Sequence, residues 1–101
     1  MKNVERIEAM EHRLNRAMNA VHELKSALEH YPTAQEDVRI LDEYLGSKDW
    51  KSDLAADEAG LLPADLMRGV LSEDGIWNLL AEWRELEEQV TEFAELIINN
   101  K

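Results

Sequence analysis

The sequence predicts an all-α fold: two long, heptad-patterned helices forming an antiparallel coiled coil, with two or three short helices between them. Apolar residues recur at 7, 10, 14, 17, 21, 24, 28 and 31, and again at 76, 79, 83, 86, 90, 93 and 97. Steps alternating between three and four line one side of an α-helix and suit a partner helix. The stretch between the seams is punctuated by Pro32, Gly46, Gly60, Pro63 and Gly69, residues that end or interrupt helices. A length of 101 residues allows one domain, 1–101, of which two long helices use up most.

The first helix is expected over about 3–31, with Ile7, Leu14, Val21 and Leu28 at a positions and Met10, Ala17, Leu24 and Tyr31 at d positions. Pro32 is expected to end it, since proline lacks a backbone donor and clashes with the preceding turn. Thr33 with Glu36 three residues on reads as a capping box opening a second helix, 33–45, that buries Val38, Leu41 and Leu45. Gly46 suits a left-handed helix end, and Ser47 can cap a third helix, 47–59, carrying Trp50 and Leu54 and closed by Gly60. Pro63 opens a helical turn over 63–68, with Asp65 near its positive end and Gly69 as the break. Ser72, Glu73 and Asp74 then provide a capping side chain and two carboxylates for the last helix, 73–98, in which Gly75 is a mild cost. Its seam places Ile76, Trp83, Val90 and Ile97 at a, with Leu79, Leu86 and Phe93 at d.

The seams are mutually compatible, because an antiparallel pair sets a positions against d positions. One register opposes Ile7 to Phe93, Met10 to Val90, Leu14 to Leu86, Ala17 to Trp83, Val21 to Leu79 and Leu24 to Ile76. The smallest seam residue then faces the largest, which favours even filling of the layers. Among the flanks, Met18 lies by Leu80, Val4 by Ala94 and Lys25 by Glu73, while Glu11 meets Glu87 unfavourably. Shifts by one heptad also align a with d, and the pairing can close within one chain or between two.

The net charge of -11 is unevenly spread. Residues 1–31 carry five acids and five bases, whereas 32–72 carry nine and four, and 73–101 eight and two. Such a field repels phosphate backbones and anionic lipid, so neither nucleic acid nor a membrane is an expected partner. The charged first thirty residues leave no room for a signal-peptide core, and no apolar run is long enough to cross a bilayer, so a cytoplasmic location is expected. The lack of cysteine excludes disulfide and thiolate chemistry.

The stretches GSKDW, from Gly46, and ADEAGLLPADLMRGVLSEDGIWNLL, ending at Leu80, with the acidic helix before them, resemble a small bacterial family, domain of unknown function 4298. The resemblance runs from the ERIEAMEHRL opening to about Glu88 and is densest over 62–80. Pro63, Asp65, Leu66, Arg68, Gly69, Val70, Leu71, Ser72, Glu73, Asp74, Ile76 and Asn78 carry the match, while Gly75 and Trp77 stand where the family pattern has alanine and tyrosine. The family has no established activity. The resemblance therefore implies a fold and a bacterial or phage origin, and transfers no function.

Candidate chemistry is sparse. His12, His22 and His30 fall on outer positions of the first helix without the spacing of a zinc protease, and Ala9, Asn19 and Ala27 stand where a carboxylate-bridged metal bundle needs glutamate. Asp49, Asp53 and Asp57 share a helical face but lack the loop pattern of a calcium site. The serines include two that read as caps, and there is no GxSxG elbow or glycine-rich phosphate loop. No catalytic residue, metal or cofactor is expected, and the chain reads as a non-enzyme.

Three features remain as candidate interaction residues. Glu85, Glu88, Glu92 and Glu95 form an acidic line on the last helix, readable as a solvated face or as a mimic of a nucleic-acid backbone. Trp77 fits an aromatic cluster with Tyr44 and Trp50, with core packing favoured over an exposed contact. Arg68, three residues after Asp65, is expected to anchor the 62–74 loop by a local ion pair. The heptad seams point to self-association, and hence to a homo-oligomeric interaction module. The alternative is an acidic inhibitor or immunity protein blocking the basic site of a nuclease, toxin or defence complex.

Overall fold

A computed structural model of the chain describes residues 1–100, apart from the side chain of Glu73. All regular elements among the described residues are helical: α1 (Lys2–Tyr44), α2 (Lys48–Glu58), a 3₁₀ turn (Gly69–Leu71) and α3 (Glu73–Asn99). The expected all-α class, with long helices at both ends and shorter elements between, is what the chain adopts. Its contacts divide it into two compact units, Met1–Gln35 and Glu36–Lys101.

The first unit is helical from Lys2 onward and has no buried residue. Its seam residues Ile7, Met10, Leu14, Val21, Leu24 and Leu28 are between 51% and 72% exposed. Pro32 does not end this helix, contrary to expectation, and lies inside α1. Proline removes the amide that would bond the Leu28 carbonyl, at a cost of about 3 kcal/mol in a helix interior. Continuation of the seam beyond it, through half-buried Val38 and Leu41, gives the later turns tertiary support that local propensity ignores. The separate helix expected over 33–45 is thus the end of α1. Thr33 and Glu36 lie within α1 and form no capping box at a helix start; Glu36 instead pairs with Arg39.

The second unit is built around four buried residues, Trp50, Leu71, Ile76 and Leu80. Val38, Leu41, Tyr44, Leu45, Leu54, Leu62, Leu79 and Trp83 are half-buried. The turn from α1 to α2 follows the sequence signals closely. Gly46 takes φ 79°, a left-handed conformation suited to glycine, as does Gly60 after α2 at φ 72°. The Ser47 hydroxyl accepts a hydrogen bond from the Trp50 amide at 3.1 Å, capping α2 as expected.

The segment after α2 departs from expectation. Residues 63–68 form no helix: an isolated turn, with the Leu66 amide donating to the Pro63 carbonyl at 3.2 Å, precedes the 3₁₀ turn that starts at Gly69. Ser72 stands at the N-cap position of α3 with extended backbone, but its side chain makes no capping bond. The Glu73 carboxylate expected near that terminus lies outside the described residues. The 3₁₀ turn contacts both α2 and α3. Gly75 makes the second contact feasible, because a Cβ placed there would stand 2.5 Å from the Gly69 carbonyl oxygen. Its absence of a side chain is a packing requirement here, not the mild cost that helix propensity suggests.

Candidate interaction surfaces

The 62–74 loop is pinned from two sides. Arg68 donates from Nη1 to Asp57 Oδ1 on α2 at 2.7 Å and from Nη2 to the Pro63 carbonyl at 2.7 Å. Its expected local partner, Asp65, is replaced by Asp57 because 63–68 lacks the helical spacing that brings residues three apart together. On the other side, Trp50 donates its indole N–H to the Val70 carbonyl at 3.0 Å, so its polar edge is satisfied while its ring is buried. Arg68 therefore closes a loop in the fold, as expected of it, through a residue eleven positions away.

Trp77 belongs elsewhere than expected. It is 65% exposed, while Trp50 is 8% exposed, so the aromatic cluster does not enclose it. Leu45, Gly46, Trp50, Asp74 and Trp77 line an open groove of about 440 Å³. Tyr44, next to this groove in sequence, donates its hydroxyl to Asp53 Oδ2 at 2.6 Å across the α1–α2 turn. Hydrogen bonding to the carboxylate, then burial and the negative charges of Asp53 and Asp49, push the Tyr44 phenol up to about 12. Two of the three aspartates on the α2 face are thereby engaged, Asp53 by Tyr44 and Asp57 by Arg68. These two contacts span nine and eleven residues and follow no local spacing rule, so the sequence offers no signal for them.

The acidic line stands as drawn from the sequence, with Glu85, Glu88, Glu92 and Glu95 all exposed on α3. A shallow surface groove beside it is lined by Arg84, Glu87, Glu88, Thr91, Glu92 and Glu95. Apolar residues occupy another side of the same helix: Leu86, Val90, Phe93 and Ile97 are exposed, as are Leu96 and Ile98. α3 is thus amphipathic, with a charged line and an apolar line both facing outward from its unit. On α1, Arg39 bridges Glu36 and Glu43, reaching Glu43 Oε1 at 2.7 Å. The Arg39 hydrogen bond holds the Glu36 carboxyl below the usual range.

The histidines lie on the exposed surface of α1. His30 Nδ1 lies 2.6 Å from the Ser26 carbonyl oxygen, a hydrogen bond in the tautomer that carries its proton on that nitrogen, since a carbonyl only accepts. Among the described residues, no three or more histidine, aspartate or glutamate side chains converge as metal ligands, and no helix is long and apolar enough to cross a membrane. What these surfaces offer chemically is pairing: apolar stripes for helices, an acidic line for cations, and an exposed indole beside a carboxylate.

No curated protein and no solved structure matches the chain. The family described as "Domain of unknown function (DUF4298)" matches over residues 7–93, which takes in α1 from its second turn, all of α2 and most of α3. With that span covering well over half of the sequence, the chain belongs to the DUF4298 family.

Proposed function

We propose that this chain is a non-enzymatic helical interaction module that associates with itself, as a homo-oligomer and most simply a dimer, through its heptad stripes. The observation that carries the reading is the exposure of a regular apolar stripe along α1 from Ile7 to Leu28, repeated on α3 from Leu86 to Ile97. Contiguous exposed apolar surface of this kind is costly in water and marks contact sites. The acidic field disfavours nucleic acid and membranes as partners, and a bacterial or phage cytoplasmic setting is part of the proposal. Sedimentation over a wide concentration range tests it. A mass rising from one chain to two or more is expected, and a strict monomer throughout overturns the proposal.

A second reading is favoured by one feature, the exposed line Glu85, Glu88, Glu92 and Glu95. Successive turns of a helix space such carboxylates about 5 Å apart, a spacing that can present charge to a basic groove on a protein partner. In this reading the chain is an acidic inhibitor or immunity protein. Salt separates the two: screening strengthens association between like-charged copies and weakens capture by a basic partner. Replacing all four glutamates by glutamine is expected to abolish inhibition of a basic target while leaving self-association in place.

A further inference from the structure

We infer that α1 pairs with α1 of a second copy, antiparallel, in the register that sets Leu14 against Leu24. The inference rests on the self-association reading and names its interface. Residues 1–31 carry equal numbers of acids and bases, so the whole charge of -11 lies beyond Pro32. Copies repel through every later segment and not through this one. Its stripe is exposed, and its unit contributes no buried residue of its own.

Direction follows from the same charge distribution. A parallel pair would bring both acidic remainders of the chain to one end, whereas an antiparallel pair attaches them at opposite ends, where they repel least. A parallel pair would also set Ala17 against Ala17 and leave that layer underfilled; the antiparallel pair gives Ala17 the larger Val21.

Register follows from the flanks. With Leu14 opposite Leu24, Met10 meets Leu28, Glu11 of each copy lies by Lys25 of the other, and Met18 meets its own symmetry mate on the two-fold axis. Shifting one copy by a heptad sets Glu11 by Met18 and Lys25 by Val4, losing both charge pairs. The interface is therefore isologous, and each copy contributes the same residues.

The absence of cysteine from the 101 residues allows a direct test in this chain. Leu14→Cys and Leu24→Cys chains, mixed under mild oxidation, are expected to give a mixed disulfide-linked dimer, while neither chain alone links to itself. Lys25→Glu is expected to weaken the dimer by roughly fivefold at low salt, as for a small number of exposed ion pairs, with Glu11→Lys in the same chain restoring it. Self-linking of Leu14→Cys overturns the antiparallel direction. Linking of Leu14→Cys to Leu86→Cys in place of Leu24→Cys moves the interface to α3 and overturns the inference. A dimer by sedimentation in which none of these pairs links overturns the inference alone, whereas a monomer by sedimentation also removes the reading on which it rests.

Discussion

Gly75 is held by a close backbone approach. A Cβ at this position would stand 2.5 Å from the Gly69 carbonyl oxygen, and a backbone atom yields less readily than a side chain. Gly75→Ala is therefore expected to lose about 1–2 kcal/mol net, overpacking outweighing the helix-propensity gain of roughly 1 kcal/mol. Urea denaturation measures it, and an unchanged midpoint would show that the 3₁₀ turn gives way. The Arg68–Asp57 contact is partly buried, with the two side chains 33% and 24% exposed. Asp57→Ala leaves the guanidinium without its carboxylate and is expected to cost about 1–2 kcal/mol, in the range of hydrogen bonds to charged groups, with faster amide exchange over 62–72. Tyr44 makes stability fall at high pH. Its phenol is raised above the unfolded value near 10, so its contribution is intact below pH 10 and is lost as pH rises toward 12. Asp53→Asn is expected to bring the phenol down, read by tyrosine absorbance. Of these three sites, the sequence pointed to Arg68 as a loop anchor but not to its partner. Spacing rules reach three or four residues along a helix, and Asp57 lies eleven away.

At the level of the elements, Ser47, Gly46 and Gly60 were legible because caps and helix ends are decided within a turn by local hydrogen bonds and backbone freedom. Pro32 was misread for the complementary reason: its local cost is real, but packing of the following turns through Val38 and Leu41 outweighs it. Pro32→Ala is expected to restore the amide bond to the Leu28 carbonyl, raising helix content by circular dichroism and slowing amide exchange over residues 28–36. A destabilised variant would show that the ring is used in packing. Ser72 shows the limit of capping signatures. Residue type and position match the N-cap rule, yet the hydroxyl makes no bond to the first turn. Likewise 63–68 has the proline, aspartate and leucine content of a helix start but forms a single turn, because Arg68 and Trp50 tie this loop to α2 and to the backbone.

For the whole molecule, heptad periodicity made the helical class and the long terminal helices readable, since periodicity averages over many residues. The surfaces were readable only in part: the acidic line followed from spacing alone, whereas the exposure of Trp77 depends on which side of α3 the 3₁₀ turn occupies. Association is expected to strengthen with added salt, because copies of a chain carrying -11 repel at low ionic strength. Sedimentation at low and high salt checks this, and weakening by salt would point to ion pairs as the main attraction. The three indoles sit in three settings: Trp50 buried and bonded to Val70, Trp83 half-buried, Trp77 exposed beside Asp74. The protein consequently carries its own optical probes. Acrylamide should quench Trp77 first, and the emission of a Trp77→Phe variant should shift to the blue, leaving fluorescence that follows unfolding around α2 while the native Trp77 signal follows whatever docks at the groove.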